Sequence, residues 1–178
     1  MHPLEIFKFC PKCGSDKYIE ASTASKKCEV CGFEFYKSPA PGTAAFIYDN
    51  QGRLLVMRRA KEPARGTLDL PGGFVEIGET AEDAVVREVY EETGLKVEVE
   101  QYLFSRPNHY LYSGMEVAPL DFFFRCRIKE QKNLRLDKDE NSEMFFLAPE
   151  EINIEDFGLE SIRRALHLLG IKNNFIKR

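Results

Sequence analysis

The stretch from Gly73 to Leu95, GFVEIGETAEDAVVREVYEETGL, constrains this chain more tightly than any other. The turn signal Pro71-Gly72-Gly73 leads into it, a short apolar run, Phe74-Val75, follows, and a second turn spans Glu76–Glu79. Thr80 can then cap a helix, with Asp83 reaching back to the Thr80 N–H as in a capping box. Gly94 is the residue type that sits just past a helix end, so the helix should run to about Thr93. On that helix Glu88, Glu91 and Glu92 are spaced i, i+3, i+4, which puts three carboxylates on one side of the cylinder. Like charges so placed repel by roughly 0.2–0.5 kcal/mol per pair. The cluster makes more sense if divalent cations sit against it. Hard cations such as Mg²⁺ prefer carboxylate oxygens, keep several waters and bridge to substrate phosphates. A bare ExxEE reads as a solvated acidic face, but this one is embedded in a longer frame.

The frame is Gly73, five residues, Glu79, seven residues, then Arg87-Glu88-Val89, Glu91-Glu92 and Gly94-Leu95. It resembles the Nudix box, the signature of hydrolases that cut nucleoside diphosphates linked to some other group. All nine specified positions match, a far more specific signal than a lone glycine motif. The resemblance implies an α+β fold in which a mixed β-sheet is sandwiched between helices, and catalysis with Mg²⁺ or Mn²⁺. It also implies roles. Glu88 and Glu92 look like metal ligands, and Glu91 like a ligand or a participant in water activation. The carbonyl of Gly73 looks like a further oxygen ligand. Arg87 is expected to pair with Glu79 and orient the carboxylates; a plain surface salt bridge would look the same in sequence. Many members add a carboxylate from a loop beyond the box. Asp137–Glu143 is the source here, with Glu140 the first choice and Glu143 the second, although a solvated acidic loop reads equally well.

The 178 residues suffice for one ordinary domain plus a small module, and 43% hydrophobic content can fill a core. A net charge of −4 argues against a large nucleic-acid footprint and leaves room for a local basic patch. The chain has no run of 18 apolar residues, so no membrane span is expected. MHPLEIFKFC lacks the apolar core of a secretory signal, and a reducing, cytoplasmic location follows as the default. In that setting Cys10, Cys13, Cys28 and Cys31 form two CxxC knuckles, each followed by glycine and separated by 14 residues. Four thiolates so spaced suit a closed, structural Zn²⁺ site; paired disulfides and a redox CxxC are the alternatives. A segment of about 30 residues buries too little surface to fold alone, so the ion supplies its stability. The module resembles the zinc ribbon that precedes the Nudix domain in some members, NADH pyrophosphatases included. The chain then divides into a ribbon, 1–37, and a Nudix domain, 38–178. Lys8, Lys12, Lys17, Lys26 and Lys27 give the ribbon a basic look. A docking or homodimer-forming element is nevertheless the better reading than a nucleic-acid contact. Cys126, alone in an apolar run, reads as a core residue.

Downstream of a linker at Ser38–Gly42, strands are expected over Thr43–Tyr48, Arg53–Arg59, Leu68–Leu70, Leu95–Ser105, Val117–Ile128 and Met144–Ala148. A final helix is expected over Leu159–Gly170, and the tail Lys172–Arg178 reads as loosely held, with Phe175 and Ile176 able to dock. Arg58 and Arg59 end a strand near the box and could meet phosphates. Asn108, His109, Tyr110 and Tyr112 fall in a loop long enough to cover the site. The tyrosines could stack on a base, and His109 reads as a loop residue before a general acid or base. Members that act on NADH carry a Ser-Gln-Pro-Trp-Pro-Phe-Pro type motif. Here Ser105-Arg106-Pro107-Asn108-His109-Tyr110 keeps only the Ser and the first Pro, so the architecture does not license NADH. The leading expectation is a metal-dependent pyrophosphohydrolase acting on a dinucleotide, an ADP-ribose-like compound, a nucleotide sugar or an NTP. The alternatives are a non-catalytic nucleotide-sensing or nucleic-acid-binding regulator, which commonly loses box carboxylates, and capped-RNA processing.

Overall fold

The computed structural model describes residues 2–131 and 134–171; the expected loose tail, with Phe175 and Ile176, lies outside them. The amino-terminal module is a three-stranded antiparallel sheet, β1 (Tyr18–Glu20), β2 (Ser25–Cys28) and β3 (Glu34–Tyr36), with β2 in the middle. Its small core is Tyr18, Cys10 and Cys28, with Cys31 and Phe33 packed against it.

Strand β4 (Pro41–Ile47) takes in part of the expected linker. It shows why the remaining strands form the centre of the molecule. Ala44 and Phe46 point into one apolar cluster while Ala45 and Ile47 point into another, the period-two alternation of a strand. Because both faces are buried there, its run Ala44–Ile47 is apolar throughout. The next strand, β5 (Leu54–Arg59), divides in the same way, with Leu54 and Val56 against Leu55. The short β6 (Leu68–Asp69) follows, then helix α1 (Ala81–Thr93) and the long β7 (Lys96–Pro107). The segment expected as a covering loop is a hairpin, β8 (Tyr110–Tyr112) and β9 (Met115–Val117), turned at Ser113-Gly114, both with positive φ. It splits off the start of the expected strand at Val117, and β10 (Leu120–Glu130) carries the rest. Strand β11 (Asn141–Leu147) and helix α2 (Glu160–Leu168) complete the chain.

One sheet has the order β4-β10-β7, with β10 parallel to β4 and antiparallel to β7; the other is antiparallel, β11-β5-β6. Val85 and Val89 of α1 pack with Ala45, Leu55, Val97, Phe124 and Cys126, and Ile162, Ala165 and Leu166 of α2 pack with Phe46, Val56 and Phe123. Each fully buried phenylalanine is worth about 1.5–3 kcal/mol relative to exposure. The two helices therefore cover opposite faces of mixed strands, and the fold is α+β.

Helix α1 begins and ends where its residues dictate. Thr80 is its N-cap and accepts from the Asp83 N–H at 3.1 Å. The return bond runs from the Thr80 hydroxyl to Asp83 Oδ2 at 2.7 Å rather than from the Thr80 N–H. Gly94 closes the helix at φ 70°, its N–H donating to Tyr90 O. We expect Thr80→Ala to cost about 1 kcal/mol and to lower Tm by about 2–4 °C in a thermal melt, with the fold retained.

Candidate active site

The turn before α1 is welded to β4. Thr43 N donates to Gly73 O, Ala45 N to Pro71 O and Val75 N to Pro41 O, at 2.8, 2.8 and 3.0 Å. At Gly72 a Cβ would collide with the Thr43 carbonyl, and its φ of 149° is one that side chains rarely adopt. At Gly73 a Cβ would stand 2.5 Å from the Glu88 carboxyl. Glycine is thus required at position 72 so that the turn can lie against β4, and at position 73 it leaves the Glu88 carboxyl undisplaced.

This approach creates the binding geometry for Glu92. Its carboxylate, 7% exposed, accepts from Gly72 N at 2.9 Å and from Asn141 Nδ2 at 2.8 Å. Burial pushes its pKa up to about 8, against the pull of those two donors. Glu88 is also raised by burial, whereas Glu91 is half exposed. All three carboxylates stand on the last two turns of α1, near the negative end of its dipole, and no basic residue lies in the final turn.

Arg87 spends all five of its N–H donors inside this group. They go to both oxygens of Glu79 (2.8 and 2.9 Å), to Glu88 (2.9 Å), to Glu91 (3.0 Å) and to Phe74 O (3.0 Å). Glu79 is held below its usual range by that guanidinium. Arg87 is therefore a positioning residue with nothing left to offer a substrate. The Gly73 carbonyl is likewise engaged, accepting from Thr43 N and Thr43 Oγ1 (2.8 and 3.1 Å). The second of these donors is a hydroxyl that can rotate away, which leaves the carbonyl able to serve as a metal ligand.

A cleft of about 610 Å³ opens over the helix. It is lined by Glu88, Glu91, Glu92, Glu140, Arg59, Tyr110 and Tyr112, which the structure brings together. Glu140 stands exposed at the rim with Lys61 3.5 Å away. The expected alternative, Glu143, is instead bound to Arg58 at 2.8 Å, and both lie outside the lining. Alternation along β5 explains this, since adjacent residues face opposite ways: Arg58 also covers Phe145, and Arg59 turns inward to Asp69 at 2.6 Å. His109 stands exposed near Glu116 at 3.6 Å, away from the lining.

Three lining residues escaped the sequence reading. Asp69 and Asp121 each interrupt an apolar run, Leu-Asp-Leu and Leu-Asp-Phe, a pattern that could have flagged them. Both are raised by burial. Asp121 Oδ2 accepts from Asn108 Nδ2 at 3.0 Å and from Ser161 Oγ at 2.6 Å. Asn141 gave no signal, being one polar residue in a polar loop.

The four cysteines form a separate centre. Their sulfurs all lie within 4.8 Å of one another, with the pairs Cys10–Cys31 and Cys13–Cys28 each at 3.7 Å. A tetrahedral ion with metal–sulfur bonds of ~2.3 Å separates its ligands by about 3.8 Å, so the set fits a metal. Backbone N–H groups of Cys31 and Val30 lower the Cys28 thiol to about 6, against burial. Among the described residues no second set of three or more ligands gathers so tightly. The wider spread of the α1 carboxylates, all hard oxygen donors, suits an ion that keeps several waters.

Residues 38–168 match the family profile described as NUDIX domain, and the chain belongs to that family. A Haemophilus influenzae (strain PittGG) relative, "NAD-capped RNA hydrolase NudC", is 36% identical over 107 residues, which is 60% of this chain and 40% of the relative. A Methanocaldococcus jannaschii "ADP-ribose pyrophosphatase" is 41% identical over 85 residues, 47% of this chain and 50% of the relative. The alignments thus span half or less of either relative's length. The crystal structure of a NUDIX hydrolase from Nitrosomonas europaea superposes with a TM-score of 0.72 over 89% of this chain and 88% of that one; at 23% identity it shows a shared fold.

Glu92 makes stability depend on pH when metal is absent. The folded protein keeps its proton up to about 8, while the unfolded chain releases it near 4.5. Its contribution is full below the lower value, declines as pH rises, and is gone above the higher one. With a chelator present, Tm should fall from about pH 6 to about pH 8, and Glu92→Gln should flatten that slope. Equal slopes in both proteins would rule out the buried proton.

Proposed function

We propose that this chain is a divalent-metal-dependent pyrophosphohydrolase that cleaves the diphosphate linkage of a nucleoside diphosphate derivative. One observation carries the reading: a cleft in which Glu88, Glu91, Glu92 and Glu140 face Tyr110 and Tyr112 across a space sized for a nucleotide. The relatives named for hydrolysis of NAD-capped RNA and ADP-ribose support it, as does the unbroken Nudix box.

A pyrophosphate resists attack because its negative oxygens repel a nucleophile and its leaving phosphate needs its charge neutralised. Mg²⁺ or Mn²⁺, when bound, supplies that neutralisation and a more acidic water. Glu88 and Glu92 are the ligands we assign to it, with Glu140 as a further carboxylate at the rim. Glu91, half exposed beside them, either joins the ligands or takes the proton of the attacking water. Glu79, through Arg87, fixes the rotamers of Glu88 and Glu91. Tyr110 and Tyr112 offer faces for a base and Arg59 remaining N–H donors for a phosphate oxygen. Arg58, turned toward Glu143, has no part in this scheme.

The cysteine centre is assigned to structural Zn²⁺ in a ribbon spanning 1–37, ahead of a Nudix domain spanning 38–178. Small-molecule nucleotides in the cytoplasm are the proposed partners. No helix among the described residues is long and apolar enough to cross a membrane.

Glu91→Gln and Glu92→Gln should each abolish hydrolysis across a panel of ADP-ribose, nucleotide sugars, dinucleotides and NTPs with Mg²⁺ or Mn²⁺, while the circular dichroism spectrum stays unchanged. Near-wild-type turnover in both variants would defeat the assignment. Elemental analysis should find about one zinc per chain; none, with the cysteines oxidised in pairs, would overturn the ribbon.

A further inference from the structure

The charges of the cleft say which phosphates it can take. Nine carboxylates line it against three cations, and each cation is paired with at least one carboxylate. Arg87 has no free donor, for the reasons above. Arg59 is neutralised by Asp69, itself 7% exposed. Lys61, exposed at the rim, faces Glu140. Arg59, its charge offset by Asp69, keeps N–H donors for one phosphate oxygen; beyond that, phosphate charge in this cleft would have to be met by a cation held on α1. Two phosphates can be held that way. A third or fourth, extending from the metal, would meet carboxylates.

The floor opposite α1 has the complementary chemistry. Asp121 is fixed by two donors from separate elements, Asn108 beside the β8 hairpin and Ser161 on α2, both almost fully buried. Both donors serve Oδ2. The other oxygen, Oδ1, lies toward Gly42, where a Cβ would stand 2.5 Å away. Tyr110, half-buried, and the apolar side chains of Leu159 and Ile162 line the same space. A carboxylate held this firmly at a cleft wall is a hydrogen-bond acceptor for hydroxyls and a repulsive group for phosphates.

We infer that Asp121, oriented by Asn108 and Ser161, receives a neutral, hydroxyl-bearing group attached to the second phosphate, so that the enzyme selects nucleoside diphosphate sugars over longer polyphosphates. This rests on the hydrolase reading and adds its specificity. Asp121 is here a substrate-contacting residue, and Asn108 and Ser161 are positioning residues.

The test uses the full chain with Mg²⁺. Wild-type kcat/KM is measured on ADP-ribose and UDP-glucose, and on ATP and diadenosine tetraphosphate. The first pair should be preferred by about tenfold or more, the worth of one hydrogen bond to a charged group. Asp121→Asn keeps the shape and an acceptor for Asn108 and Ser161 while removing the charge. It should raise KM for ADP-ribose about tenfold with kcat little changed, and should improve KM for ATP. A wild-type preference for ATP or diadenosine tetraphosphate overturns the inference and leaves the hydrolase reading intact. Equal losses on all substrates in the variant overturn it too, since a merely structural role would act so. If the variant melts before assay temperature, the wild-type preference decides alone. No hydrolysis of any compound overturns both readings.

Discussion

A single buried carboxylate ties together the parts of this molecule that matter. Glu92 accepts from Gly72 on the turn before α1 and from Asn141 at the start of β11. Its own backbone carbonyl, at the open end of the helix, accepts from Asp137 N at 3.0 Å, and that of Thr93 accepts from Arg135 N at 3.0 Å. Segments about 20 and 50 residues away in sequence are thus closed onto one helical turn. The last carbonyls of a helix have no partner within it. Here the loop that carries Glu140 satisfies them and is thereby delivered to the cleft. A buried, crowded carboxylate is expensive unless protonated or paired with a cation, so the arrangement stores a demand for positive charge where a diphosphate would lie.

Arg87 meets only part of that demand. One guanidinium, split among Glu79, Glu88 and Glu91, leaves the face negative, and its value lies in direction rather than neutralisation. A bidentate grip on Glu79 fixes the guanidinium plane, which in turn fixes the side chains of Glu88 and Glu91 to within a hydrogen bond's tolerance. Lysine, a single flexible point charge, could not hold three carboxylates and a carbonyl at once. The spacing from Glu79 to Arg87 in the sequence is therefore a spacing between a turn and the second turn of a helix, closed by that grip.

Local rules made the helix legible. Thr80, Asp83 and Gly94 act within a few residues of themselves, so capping chemistry located α1 to the residue. Strands β4 and β5 could be read because burial on both faces leaves short uninterrupted apolar runs, Ala44–Ile47 and Leu54–Met57. Orientation across a strand was harder. Arg58 and Arg59 are neighbours in sequence, and only the register of β5 against β11 decides which of them faces the cleft. Asn108, Asp121 and Ser161 come from three elements with no shared local pattern, and their meeting is a property of tertiary packing alone. The β8–β9 hairpin escaped notice for a different reason. Its turn residues, Ser113-Gly114, sit amid tyrosines that also suit a loop.

The chain holds two donor sets of opposite chemical character, and their separation follows from what each must do. Four thiolates at tetrahedral spacing would enclose an ion completely and leave it no site for a substrate. The gain from such an ion would be stability for a module whose own core is little more than Tyr18, Cys10 and Cys28. The carboxylates of α1 are hard donors, spread too widely to enclose an ion, so an ion there keeps coordination positions for water and phosphate. A thiolate centre on α1 would be inert, and a carboxylate centre in the ribbon would bind too weakly to fold it. The charge distribution of the cleft extends the same logic. Protein cations placed to grip phosphates would compete with the metal for them. By binding its arginines to its own carboxylates, the protein would leave an anhydride to the ion and keep its remaining wall, around Asp121, for an uncharged part of the proposed substrate.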